Sequence, residues 1–159
     1  MNINSCIELL CGKKCWSIIA GEGTGSVVNL GFGDKKKRNK LLQNSELTEE
    51  QRCYYPELEL MVFCAWRVLK LNTVICGWRD SNAPEGDMLN GLQLLKDKAV
   101  IDLKLSKFTH DLELILEDDI SIQLFCDQTN DYDADENYTL FMNPGSCSVG
   151  LKSIVNIEK

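Results

Sequence analysis

Between Val100 and Cys126 apolar and polar positions alternate with the period of a strand. Leu103 and Leu105 follow Val100, a polar turn runs from Lys107 to His110, and Leu112, Leu114 and Leu116 then stand at every second position. Asp118 and Asp119 interrupt the pattern before Ile120, Ile122 and Leu124 resume it. Successive side chains of a strand point to opposite faces, so this spacing predicts half-buried antiparallel strands joined by tight turns. Leu112, Leu114, Leu116, Ile122 and Leu124 are the expected core.

The first part of the chain carries a similar order. Leu9-Leu10-Cys11-Gly12-Lys13-Lys14 stands beside Leu94-Leu95-Lys96-Asp97-Lys98-Ala99 without a gap, and Leu58, Leu60, Val62, Phe63 and Cys64 match Ile120, Ile122, Leu124, Phe125 and Cys126. The pattern predicts an α+β fold, mainly antiparallel β, with two related helix-plus-meander halves, 1–79 and 87–159, packed as one domain. Two meanders that share only their alternation are the alternative. A linker is expected at 80–86, where Arg79-Asp80-Ser81-Asn82-Ala83-Pro84-Glu85-Gly86 has loop composition.

Two short helices are expected at the sheet margins. One covers 4–11, with Asn4 or Ser5 as cap and Gly12 as the left-handed stop, and one covers 87–95, capped by Asp87 and apolar at Met88, Leu89, Leu92 and Leu95. Further strands are expected over 14–19, 27–32 and 57–64, in a hairpin about Asn72, and over 138–142 and 147–157. Residues 34–56 break the alternation with a basic run, Lys35-Lys36-Lys37-Arg38, and a helix start with a capping box in Ser45-Glu46-Leu47-Thr48-Glu49-Glu50. This reads as a surface insertion.

At 159 residues, 44% hydrophobic and 26% charged, the chain has the composition of a single globular domain. No apolar run reaches the roughly 18 residues of a membrane helix, and the opening Met1-Asn2-Ile3-Asn4-Ser5 lacks a basic leader, so a cytosolic protein with no membrane partner is expected. Eight cysteines include no Cys-x-x-Cys pair, and the single histidine, His110, has no neighbouring cysteine, so reduced thiols and neither metal nor cofactor are expected. Gly21-Glu22-Gly23-Thr24-Gly25-Ser26 lacks the Gly-Lys-Ser/Thr ending of a phosphate cradle and precedes a strand, which makes it a hairpin loop. Asp131-Tyr132-Asp133-Ala134-Asp135 does not continue as a calcium loop, because Glu136 and Met142 stand where Gly and a bidentate Glu belong. His110 lies beside Asp111 in a solvent-exposed turn with no nucleophile paired to it locally, so no catalytic site is expected.

The net charge of -7 excludes nucleic acid as the direct ligand and suits a basic protein. Ten acids and no Lys or Arg fall within 111–136. Asp111, Glu113 and Glu117 are expected on the solvent face of a strand. The candidate partner-binding residues are Asp131, Asp133, Asp135 and Glu136 in one loop, then Asp118 and Asp119 at the other end of the intervening strand.

A leucine pair, a Gly12-Lys13 or Asp97-Lys98 turn, then Leu112-Glu113-Leu114-Ile115-Leu116 and Ile120-Ser121-Ile122-Gln123-Leu124, in a small acidic chain, resembles the immunity proteins of contact-dependent growth inhibition and related bacterial polymorphic toxin systems. The likeness is one of fold-level patterning over most of the chain. It implies a cytosolic antitoxin, not an enzyme, that binds one cognate toxin domain, commonly a basic nuclease, and blocks its active site or substrate groove. No functional residue carries across, because such families vary most at their toxin-facing surfaces. A small-ligand binding module and an uncharacterised cytosolic enzyme are the alternatives.

Overall fold

The computed structural model describes residues 2–130 and 136–159. In chain order the elements are α1 (Ile3–Ile7), β1 (Lys14–Ile19), β2 (Val28–Lys37), α2 (Glu49–Cys53), β3 (Tyr54–Val62), β4 (Ala65–Lys70), β5 (Thr73–Gly77), α3 (Asp87–Leu92), β6 (Lys98–Leu105), β7 (Leu112–Leu116), β8 (Ile120–Phe125), β9 (Glu136–Phe141), β10 (Ser146–Gly150) and β11 (Val155–Glu158). All strand pairs are antiparallel, in the order β11-β10-β9-β3-β2-β1-β6-β7-β8-β4-β5.

The clearest alternation gives the expected geometry. Leu112 pairs with Leu124, Leu114 with Ile122 and Leu116 with Ile120, and all six are buried. The turn between these strands is three residues, Glu117 to Asp119, with Asp118 and Asp119 at φ 62 and 58, a left-handed conformation that a short polar side chain tolerates. Leu71 and Asn72, at φ 49 and 61, turn the β4–β5 hairpin in the same way.

Pairing across the sheet interleaves the stretches 1–79 and 87–159. Hairpin β4–β5 follows β3 in the chain but lies beside β8, whereas β9 to β11 follow β8 but lie beside β3. Strand β6 joins the two wings, since its first residues pair with β1 and the remainder with β7. One apolar cluster draws on both wings, with Leu30, Leu60 and Leu140 from one and Val68, Leu114 and Ile122 from the other. Two cross-links close the far margins: the Trp66 indole N–H donates to Ser26 O at 2.8 Å, and the Tyr138 hydroxyl donates to His110 O at 2.9 Å.

Local chemistry moves several element ends from their expected places. The first helix is capped by Asn2, whose side chain accepts from Ser5 N at 2.9 Å while Ser5 Oγ accepts from Asn2 N, and Gly12 stops the turn at φ 77. Gly86 is the N-cap of α3, and Asp87 is its first residue. The basic run is not loop: β2 continues through Lys37, which pairs with Tyr54, so the irregular insertion shrinks to the residues between Lys37 and Tyr54. Long Lys and Arg stems can lie along aromatic surface while the charge stays wet, and here Lys35 stands 5.2 Å over the Trp16 ring and Arg38 5.8 Å over Tyr55. The insertion is also pinned: Gln51 Nε2 donates to Ser17 Oγ and Ile18 O, both at 3.1 Å.

Lys13 and Glu57 form a two-pronged pair at 2.9 and 2.8 Å, and Glu57 Oε2 also accepts from Asp34 N at 3.1 Å. Gly33, at φ 78, leaves room for it, because a Cβ there would collide with the Glu57 carboxylate. The Lys13 ammonium and the Asp34 amide hold Glu57 below the usual carboxylate range. A carboxylate with a depressed folded-state pKa stabilises the fold above its unfolded value, and that contribution is lost as pH falls through the folded one. Urea midpoints should therefore drop as pH falls through and below the ordinary glutamate range, and Glu57→Gln should flatten that part of the curve. An identical pH profile in the variant would show that the pair contributes nothing.

Candidate functional site

Among the described residues, three acids between 111 and 136 accept from backbone amides of other segments. Asp111 accepts from Cys126 N at 2.7 Å, Glu117 from Ala99 N at 2.9 Å, and Asp127 from Ala65 N at 3.2 Å. Glu113 faces outward but is half-buried, between Lys104 at 3.5 Å and Gln123 at 3.0 Å. Asp118 pairs with Lys98, whose ammonium holds it below the usual carboxylate range. Asp119 is exposed beside it. Glu136 opens β9, half-buried, and accepts from the Thr139 hydroxyl. Asp131, Asp133 and Asp135 lie outside the described residues. Glu136 and the Asp118–Asp119 turn are at opposite ends of β8, so they do not form one site.

His110 is half-buried, not solvent-exposed as its turn position suggests. Its Nδ1 lies 3.2 Å from Ser153 O, and its carbonyl accepts from the Tyr138 hydroxyl and, at 3.4 Å, from the Cys126 thiol. The thiol meets the backbone of the histidine and not its ring, so the contact ties the β6–β7 turn to β8 and β9. All eight cysteines are free. The thiol contact with Cys126, followed by burial, raises Cys64; burial pushes Cys15 up to about 12 and Cys76 to about 11. These are protonated, packed thiols at neutral pH, not poised nucleophiles. Among the described residues no three His, Cys, Asp or Glu side chains form a group able to hold a metal ion, and no helix is long and apolar enough to cross a membrane.

A cavity of about 490 Å³ lies where three segments outside the regular sheet meet: the glycine-rich loop 20–24, the insertion at 44–51, and the connection 82–89. Each is fixed by its own chemistry. Thr24 closes the loop by accepting from Gly21 N at 3.1 Å and donating to Gly21 O at 3.0 Å. Thr48 and Gln51 cap α2 reciprocally, at 3.2 and 3.0 Å, which leaves Gln51 Nε2 free to reach β1. Asn82 donates to both Gly21 O and Gly25 O at 3.0 Å, tying the connection to the loop.

Ile18, Ile19, Leu47 and Leu89 supply the apolar part of the lining, and Asn44, Gln51 and Asn82 supply amides. Glu22 and Glu46 bring the charge, and no Lys or Arg lines the cavity. Both glutamates are exposed, and neither carboxylate meets a base or an internal donor among the described residues. Nothing in the spacing of Glu22, Glu46 and Asn82 marks them as neighbours. The glycine-rich loop is visible in the sequence, but its role is to turn the chain and accept the Asn82 amide. A second, shallower depression of about 330 Å³ lies on the outer face of β4, β6, β7 and β8, crossed by Arg67, Gln123, Glu113 and Lys104. There the charges of both signs neutralise one another. Comparison of the chain with protein families, curated proteins and solved structures finds no match.

Proposed function

We propose that this chain is an immunity protein, which binds a cognate basic toxin domain in the cytosol and blocks its active site or substrate groove. The observation that carries the reading is this cavity, lined among the described residues by two carboxylates and no base, in a chain of net charge -7. A field of one sign speeds encounter with a partner of the other and penalises acidic competitors. An inhibitor needs a fixed surface that loses little freedom on binding, and the three segments around the cavity are tied by side-chain hydrogen bonds to the sheet and to one another.

We infer further that the scaffold derives from one helix-plus-meander unit used twice. α1 to β3 and α3 to β8 follow the same order, apart from the insertion with α2. If Lys14 corresponds to Ala99, as the leucine pairs align, these two positions face each other in the β1–β6 pair. The bonds Gly12 N to Val100 O, 2.8 Å, and Asp97 N to Cys15 O, 2.6 Å, then become the same bond on either side of a local two-fold. Gly12 and Asp97 share the left-handed turn, at φ 77 and 62.

The function is tested by asking whether a gene adjacent to this one encodes a toxin domain and by following the growth of bacteria that express that domain. Co-expression of this chain should restore growth, while an unrelated acidic protein of similar size should not. Unrestored growth, with both proteins detected in the cells, would remove the immunity reading.

A further inference from the structure

We infer that the cavity between the glycine-rich loop, the insertion and the 82–89 connection receives a guanidinium group, carried by an arginine side chain of the partner. The inference rests on the reading of the partner as a basic protein and assigns the anchor by which that protein is held. The cavity, at about 490 Å³, is within the range that encloses small ligands and is ample for one long side chain. Its lining divides as such a side chain divides. Ile18, Ile19, Leu47 and Leu89 offer apolar surface to a methylene stem, and Glu22 and Glu46 offer charge to its head.

The choice of guanidinium over ammonium follows from where the acceptors sit. Glu22 belongs to the loop after β1, Glu46 to the insertion, and Asn82 to the connection before α3, so the acceptors lie on different walls. Asn82 has both amide hydrogens on Gly21 O and Gly25 O, which leaves its Oδ1 as an acceptor only. A planar fork of five donors reaches acceptors on several walls at once, whereas an ammonium is a compact charge that keeps its water.

A further observation concentrates function here. Where the two units of the scaffold correspond, the second joins β7 to β8 with only Glu117, Asp118 and Asp119, while the first carries the whole insertion with α2 between β2 and β3. The β7–β8 hairpin closes without such a segment. The insertion's exposed Glu46 and buried Gln51 complete the cavity wall.

The test uses the full chain, labelled with ¹⁵N, and three probes: N-acetyl-arginine methylamide, its citrulline isostere, and the lysine analogue. The arginine probe should shift amide resonances of 18–24, 44–51 and 82–89 and saturate at about millimolar concentration, the affinity expected of one side chain without its protein. The citrulline probe should bind at least about tenfold more weakly, because it keeps the shape and loses the charge. The double variant Glu22→Gln, Glu46→Gln should lose the arginine response with an unchanged unfolding midpoint. Equal binding of arginine and citrulline probes, or no response at these segments, overturns the assignment, and equal binding of the lysine probe overturns the preference for guanidinium. The two readings fail separately. A chain that protects cells but ignores the arginine probe loses the anchor and keeps the function; one that binds the probe but protects no cell loses the function and keeps the site.

Discussion

Replacing Trp66 with alanine should lower the free energy of unfolding by about 3–5 kcal/mol, the range for emptying a large aromatic site in a packed core. Trp66 is 1% exposed, on β4, in the wing remote from β2. Its indole N–H nevertheless donates to Ser26 O, in the loop that leads into β2. The side chain thus fills the core and also fastens the two wings, so the variant loses both contributions. Trp66→Phe separates them: it keeps most of the ring and loses the bond, which is worth about 1 kcal/mol. Urea denaturation of both variants provides the measurement. A loss below about 1 kcal/mol for the alanine variant would mean that the wings do not share a core at this position.

Reversing the charge of the cavity, with Glu22→Lys and Glu46→Lys together, should weaken binding to the toxin domain by about a hundredfold and abolish protection, because two attractive contacts become repulsive. Both side chains are exposed and make no internal pair among the described residues, so the unfolding midpoint should stay within the small range of ordinary surface substitutions. Asp118→Asn provides the comparison, since Asp118 is already neutralised by Lys98 in its turn. It should change binding by less than about threefold. Calorimetric titration of the three proteins against the toxin domain distinguishes them. An unchanged affinity in the double-lysine variant would place recognition elsewhere on the surface.

The sequence discloses the strands that are governed by near neighbours. Leu112, Leu114 and Leu116 fall on one face because side chains alternate, and the short turn through Asp118 and Asp119 brings the next alternating run back against them. Alternation does not say which strand lies on the far side, so the placement of β4 beside β8 and β9 beside β3 is not legible locally. The reach of β2 is hidden for another reason: Lys35, Lys36 and Lys37 read as a solvated run, but their backbone pairs with Pro56, Tyr55 and Tyr54. Three acids between 111 and 136 have a use that composition does not show. Asp111, Glu117 and Asp127 accept from backbone amides of other segments. Glu22, Glu46 and Asn82 share a cavity only because Gln51 holds the insertion to β1 and Asn82 holds the connection to the glycine loop. Such ties between distant segments leave no periodic trace.

Titrating the activity of a toxin domain found beside this gene with purified chain is the most direct measurement of inhibition by binding. Activity should fall linearly and vanish at one equivalent when the toxin concentration is about a hundredfold above the dissociation constant, and the double-lysine variant should leave it intact. Full activity in the presence of about a tenfold excess of the unaltered chain, at the same toxin concentration, would contradict the proposed function.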